Sequence, residues 1–140
     1  MTEKKSKILL IDDSGVDVTI IEEVLSQSGF EVSVAENGKQ GIIRAKADAP
    51  DISAIILDRR MPVMDGNETL QKICADESTS HIPVLMLTGD DDVSCIMESL
   101  SLGAQDYLVK PFVPNDLVIR VKMLISGSDV RRKEKLGLTA

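Results

Sequence analysis

Residues 57–66 read Leu57-Asp58-Arg59-Arg60-Met61-Pro62-Val63-Met64-Asp65-Gly66 and continue from the apolar run ISAIIL at 52–57. A short run of aliphatic and β-branched residues of this kind predicts a strand covered on both faces. The run stops on the carboxylate of Asp58, with Pro62 and Gly66 close behind. A charge at the end of a buried strand is costly unless other groups there make use of it.

Working outward, four more strands are predicted: KILLI 7–11, EVSVA 31–35, PVLML 83–87 and DYLV 106–109. Segments of helical period lie between and after them. Val16, Ile20, Ile21, Val24 and Leu25 form one stripe that ends before Gly29, a helix stop. Further helices are expected at 39–47, Asn67–Cys74, Asp92–Leu102 (stripe Val93, Ile96, Met97, Leu100) and Asn115–Ser126 (Leu117, Val121, Leu124, Ile125). The alternation gives a (βα)5 chain. With right-handed crossovers this is a doubly wound α/β fold with a five-stranded parallel sheet, flavodoxin-like in architecture, whose ligands bind at the carboxyl ends of the strands.

The chain has 140 residues, 43% of them hydrophobic, which suits one domain. Residues 1–6 are expected to be a tail, 7–126 the domain, and 127–140 a charged tail or linker; Arg131, Arg132, Lys133 and Lys135 there make a small basic patch. Three aromatics and no Trp disfavour a pocket built on ring stacking. A net charge of −7 disfavours direct nucleic-acid binding and anionic membranes. With neither an apolar leader nor a long apolar span, a cytoplasmic protein without membrane insertion is expected. Cys74 and Cys95 lack the spacing of a metal site and read as reduced packing residues.

The predicted strands end on polar or small residues: Asp12 and Asp13 after the first, Asp58 after the third, Thr88 and Gly89 after the fourth, Lys110 and Pro111 after the fifth. Each has an ordinary alternative. Asp12 and Asp13 can cap the first helix, Asp58 can start a turn, Thr88 suits a strand, and Lys110 can be a solvated charge. If the first and third strands are neighbours flanked by the fourth and fifth, these residues converge on one edge as an acidic cluster with one ammonium beside it. Two carboxylates about 5 Å apart repel by roughly 3 kcal/mol at an effective dielectric near 20, so a cation is needed. Oxygen donors favour Mg²⁺ or a similar hard ion such as Mn²⁺. An Asp carboxylate can attack a phosphoryl group, and Asp58 is the candidate nucleophile.

The motifs ILLIDDS, ILDRRMPVMDG, VLMLTG and GAQDYLVKPF resemble those of the response-regulator receiver domain of two-component signalling over about residues 6–126. The resemblance implies strand order 2-1-3-4-5 and a phosphorylation-activated switch that accepts its phosphoryl group on Asp58 from a sensor histidine kinase or a histidine phosphotransfer protein. It implies that Mg²⁺ is held by Asp13, Asp58 and the main-chain carbonyl of Arg60, with Asp12 acting through water. Thr88 and Lys110 would bind phosphoryl oxygens, Gly89 would leave room beside them, and a cis Lys110–Pro111 bond would aim the lysine inward. Thr88 and Tyr107 would be the switch pair. An unidentified downstream protein would bind the face of the fourth helix, fifth strand and fifth helix, around Ser101, Leu102, Gln105 and Tyr107. The protein would not be an enzyme in the usual sense, but would assist its own phosphorylation and dephosphorylation.

Pro62 is expected to fix the loop after Asp58, and Gly66 to supply a conformation barred to other residues. Arg60 and Asp90 are expected to pair across the pocket mouth and slow hydrolysis. A receiver module cut from a longer protein is the alternative. A Mg²⁺-dependent aspartyl-phosphate hydrolase is disfavoured, because Arg60 stands where such enzymes need a general acid. A flavodoxin-like electron carrier would need flavin-stacking rings, and the absence of GxxxxGK[ST] excludes a P-loop hydrolase.

Overall fold

The structure is a computed structural model that describes residues 5–89 and 91–135, with only the backbone described for 129–135. The alternation read from the sequence is present: β1 (Lys7–Ile11), α1 (Gly15–Gln27), β2 (Glu31–Ala35), α2 (Gly38–Asp48), β3 (Ile52–Asp58), α3 (Gly66–Ala75), β4 (Val84–Thr88), α4 (Val93–Ser101), β5 (Asp106–Val109) and α5 (Pro114–Lys135). All strand pairs are parallel and the order is β2-β1-β3-β4-β5.

Alternate strand residues build two cores. Leu9, Ile11, Ile55, Leu57, Val84 and Met86 face α2 and α3. Ile8, Leu10, Ile56, Leu85 and Leu87 face α1 and α5. This two-sided burial is why the central strands are continuously apolar in sequence. Edge strand β2 is only partly covered, and its sequence EVSVA alternates polar with apolar residues instead of running continuously apolar.

Helix ends follow local chemistry. Asn37, Asp65 and Asp92 cap α2, α3 and α4, each accepting a bond from an N–H two or three residues on. The cap of α1 is Ser14, which accepts from the Asp17 N–H; Asp12 and Asp13 do not take that place. Gly29 ends the α1 segment at φ +92, as its sequence position predicted.

Three expectations are corrected. Val16 and Ile20 on α1, and Val93 and Met97 on α4, point outward; Ile21 and Leu25 bury α1, and on α4 only Ser99 is fully buried. A stripe of four or five apolar positions is wider than these helices bury. Next, α5 does not stop at Ser126 but runs to Lys135. Helix hydrogen bonds are local, so one Gly costs only about 1 kcal/mol and Arg, Lys and Glu carry the helix onward. The basic side chains of 131–135 lie outside the described residues. Finally, Gly66 is not in a left-handed conformation. The positive φ of this loop, 71°, falls on Val63, while Gly66 is required by space: a Cβ there would strike the Asp58 carbonyl oxygen and the Arg59 Cα.

Among the described residues no helix is long and apolar enough to cross a membrane. Replacing Gly66 by Ala is expected to lower stability by about 1–3 kcal/mol through overpacking against the strand end. Gly15→Ala, where nothing among the described residues lies within 4 Å of an added Cβ, should change it by less than about 1 kcal/mol. Equal midpoints for both variants in urea unfolding would contradict the close approach at Gly66.

Candidate functional site

The sheet register assembles the site. Ile11 lies beside Leu57, Asp58 beside Leu87, and Thr88 beside Val109. The next residues along, Asp12, Arg59, Gly89 and Lys110, therefore leave the sheet at one edge. Backbone bonds extend the ladder past the strands: Asp12 N–H to Ala35 O (3.1 Å), Arg59 N–H to Leu87 O (2.8 Å) and Lys110 N–H to Thr88 O (2.7 Å).

Asp12, Asp58 and Thr88 are buried, whereas Asp13 is exposed. One carboxylate oxygen from each of Asp12, Asp13 and Asp58 lies within 4.8 Å of the others. The Asp12 Oδ1 accepts the Ser14 N–H at 2.9 Å, and Asp58 Oδ1 accepts the Arg60 N–H at 3.4 Å. The buried Asp12 Oδ2 has no hydrogen-bond partner among the described residues, which marks a place where a cation fits. The set is all oxygen and suits a hard divalent ion. A cavity of about 680 Å³ with Val18, Val34, Pro62 and Met64 on its walls reaches Asp12 and Asp13.

Burial pushes the Asp12 carboxyl up to about 7, and the Asp58 charge adds to it, against the opposing Ser14 N–H and Lys110. The Asp12–Asp58 repulsion is on the order of 3 kcal/mol at an effective dielectric near 20. Lys110 supplies the cation from the protein itself. Its Nζ stands 3.4 Å from Asp58 Oδ1 and 2.8 Å from Asp17 Oδ2. Burial disfavours the ammonium, but Asp17, Asp58 and Asp12 outweigh that and hold its pKa above the usual lysine value. The Lys110–Pro111 peptide is cis.

The loop after Asp58 is clipped by Gly66 N–H to Arg59 O and Met64 N–H to Pro62 O, both 2.8 Å. At Gly89 an added Cβ would meet nothing within 4 Å among the described residues. Strand alternation puts Thr88 on the same sheet face as Met86 and its neighbour Tyr107, which is half-buried against that core. On β5, Arg120 of α5 binds both Asp106 oxygens at 3.0 Å and the Tyr107 carbonyl at 3.1 Å. The expected Arg60–Asp90 pairing cannot be placed, since Asp90 lies outside the described residues. Both cysteines are free thiols, and burial raises the Cys74 pKa.

The strands thus bring together Asp12, Asp13, Asp58, Thr88 and Lys110, all singled out from sequence. Two site residues were missed. Ser14 and Asp17 sit one and four positions after Asp13, and their signal was a cap and a first-turn acid on the helix that follows the acidic pair.

The sequence model of the response regulator receiver domain matches residues 8–122. The alkaline phosphatase synthesis transcriptional regulatory protein PhoP of Bacillus subtilis is 35% identical over 124 residues, covering 89% of this chain and 50% of the relative. The transcriptional regulatory protein PrrA of Mycobacterium leprae is 40% identical over 119 residues, covering 85% and 49%. The chain therefore spans about half the length of these relatives. A putative response regulator from Chloroflexus aurantiacus superposes with a TM-score of 0.83 at 32% identity, covering 88% of this chain and 99% of the other. The receiver domain of a sensor histidine kinase from Pseudomonas aeruginosa, whose structure holds a magnesium ion in its active site cleft, gives 0.81 at 31% identity, with coverage of 88% and 99%.

Because Asp12 keeps its proton to about pH 7 in the fold but loses it near 3.8 when unfolded, the folded chain binds more protons between those values. Stability without metal is therefore expected to fall as pH rises through this window, and Asp12→Asn should flatten the fall. Melting curves in EDTA at pH 5 and pH 8 test it; identical pH slopes for the two proteins would contradict the buried-proton assignment.

Proposed function

Since the chain belongs to the response regulator receiver domain family, we propose that it is a phosphorylation-controlled signalling switch whose phosphoryl group is carried by Asp58. The observation that supports this most directly is the convergence of three carboxylates and the Lys110 ammonium at the carboxyl edge of the sheet, with Thr88 at the adjacent strand end.

In this reading an oxygen of Asp58 attacks phosphorus. The bond between phosphorus and the donor atom breaks, and the donor leaves with the electron pair of that bond. Lys110 and the Thr88 hydroxyl bind the transferred oxygens as charge redistributes, so the protein contributes position and charge compensation rather than further covalent chemistry. Asp13, Asp58 and the Arg60 carbonyl would hold Mg²⁺ or Mn²⁺, with Asp12 acting through water; the ion would neutralise phosphoryl oxygens. The magnesium in the Pseudomonas aeruginosa receiver domain supports the same ion here. Because the same groups attend loss of the phosphoryl group to water, the domain assists both its own phosphorylation and its own dephosphorylation.

The donor is a histidine kinase or phosphotransfer protein, and a cytoplasmic location accords with it. The shared sheet face of Thr88 and Tyr107 supports a switch: drawing the Thr88 hydroxyl toward the phosphoryl group vacates space for the tyrosine ring. The α4–β5–α5 face would then present a changed surface to a partner protein. The relatives are named as transcriptional regulators about twice the length of the match, which supports output through a DNA-binding partner or segment over direct DNA contact by this acidic domain.

Acetyl phosphate with Mg²⁺ is expected to load one phosphoryl group on the wild-type chain and none on Asp58→Asn, read by intact-protein mass spectrometry. Stoichiometric loading of Asp58→Asn would move the acceptor elsewhere. Lys110→Ala, expected to unload an interaction with the transferring group, should slow uptake on the order of tenfold or more while Mg²⁺ binding persists; undiminished uptake would remove Lys110 from the reaction.

A further inference from the structure

Lys110 is held more closely by a residue outside the acidic trio than by the nucleophile. Its Nζ lies 2.8 Å from Asp17 Oδ2, the length of a charge-assisted hydrogen bond, and 3.4 Å from Asp58 Oδ1, beyond that range. Asp17 is 93 residues away in sequence and stands in the first turn of α1. Both ends of the pair are set by backbone: the Asp17 N–H is capped by the Ser14 hydroxyl, and the Lys110 N–H is bonded to the Thr88 carbonyl. Both side chains are only partly exposed.

We propose that Asp17 is a positioning residue that retains the Lys110 ammonium in the unphosphorylated protein and must surrender it when Asp58 is phosphorylated. This rests on Asp58 being the acceptor. One ammonium faces two competing carboxylates. With Asp17 in place it is drawn toward α1, leaving the Asp58 oxygen more open to a metal ion. A phosphoryl group on Asp58 offers more negative charge and takes the ammonium over. Removal of the Asp17 charge lets Lys110 close on Asp58, so an ion that shares that oxygen meets competition, while a phosphoryl group finds its lysine already released.

The two consequences have opposite signs, which a residue that merely supports α1 would not produce. Asp17→Asn is expected to weaken binding of Mg²⁺ alone and to tighten binding of beryllofluoride, a phosphoryl mimic, at saturating Mg²⁺. Each shift should be about two- to fivefold, the range open to a partly exposed ion pair. Asp17→Glu, which keeps the charge, should lie nearer the wild type on both axes. A Lys110→Ala background should reduce both shifts to less than about 1.5-fold, because the effect travels through the lysine.

Calorimetric titration of wild type, Asp17→Asn, Asp17→Glu, Lys110→Ala and the Asp17→Asn/Lys110→Ala double variant decides it. Unchanged affinities in Asp17→Asn, shifts of the same sign, or equal shifts with and without Lys110 would each overturn the role of Asp17 and leave the acceptor assignment standing. A wild-type chain that binds no beryllofluoride would instead bring down the acceptor assignment, and this inference with it.

Discussion

The mutual repulsion of Asp12 and Asp58 is the constraint from which the site follows. Two carboxylates buried at neighbouring strand ends are tolerated only if one keeps its proton or positive charge comes to them, and the fold brings such charge from two directions. Lys110 arrives from the end of β5 and the Ser14 N–H from the start of α1, while the trio with Asp13 leaves a place for a metal ion. Each counter-charge is partial, so the cluster stays responsive to what binds there. An arrangement that fully neutralised it would be more stable and would have little negative charge left with which to hold a divalent cation.

Parallel pairing converts this local demand into a global one. Every strand runs the same way, so every strand ends at the same edge, and a shift of register by one residue would turn Asp58 or Thr88 to the opposite sheet face. The two apolar cores fix that register: Leu57 and Ile56 belong to different cores, as do Met86 and Leu87. Core packing and site geometry are therefore one problem, and the close approach of Gly66 to the Asp58 carbonyl shows how little slack remains.

Much of this was legible because it was periodic. The continuous apolar runs named β1, β3 and β4, and polar residues at strand ends named Asp12, Asp58 and Thr88 there and Lys110 after β5. What escaped depended on three dimensions. Val16, Ile20, Val93 and Met97 fit a helical stripe, yet each helix buries a narrower face than its sequence offers. The end of α5 was hard to place because the composition changes after Ser126, although helical hydrogen bonding is indifferent to that change. Gly66 was correctly marked as special but for the wrong reason, since steric contact across a loop leaves no pattern in sequence. Asp17 was hidden by its ordinary place in a helix's first turn, and its partner lies 93 residues away.

The meagre burial of α4 has a dynamic consequence. Nine residues are too few for a helix to persist alone in water, and this one is anchored through the Ser99 hydroxyl bonded to Asn67 at 2.9 Å, with Ile96 and Leu100 only partly covered. Its amide protons should exchange with solvent through a local opening that costs much less than unfolding the sheet. Among the described helices α4 is therefore a weakly held one, and it follows directly on the strand that ends at Thr88.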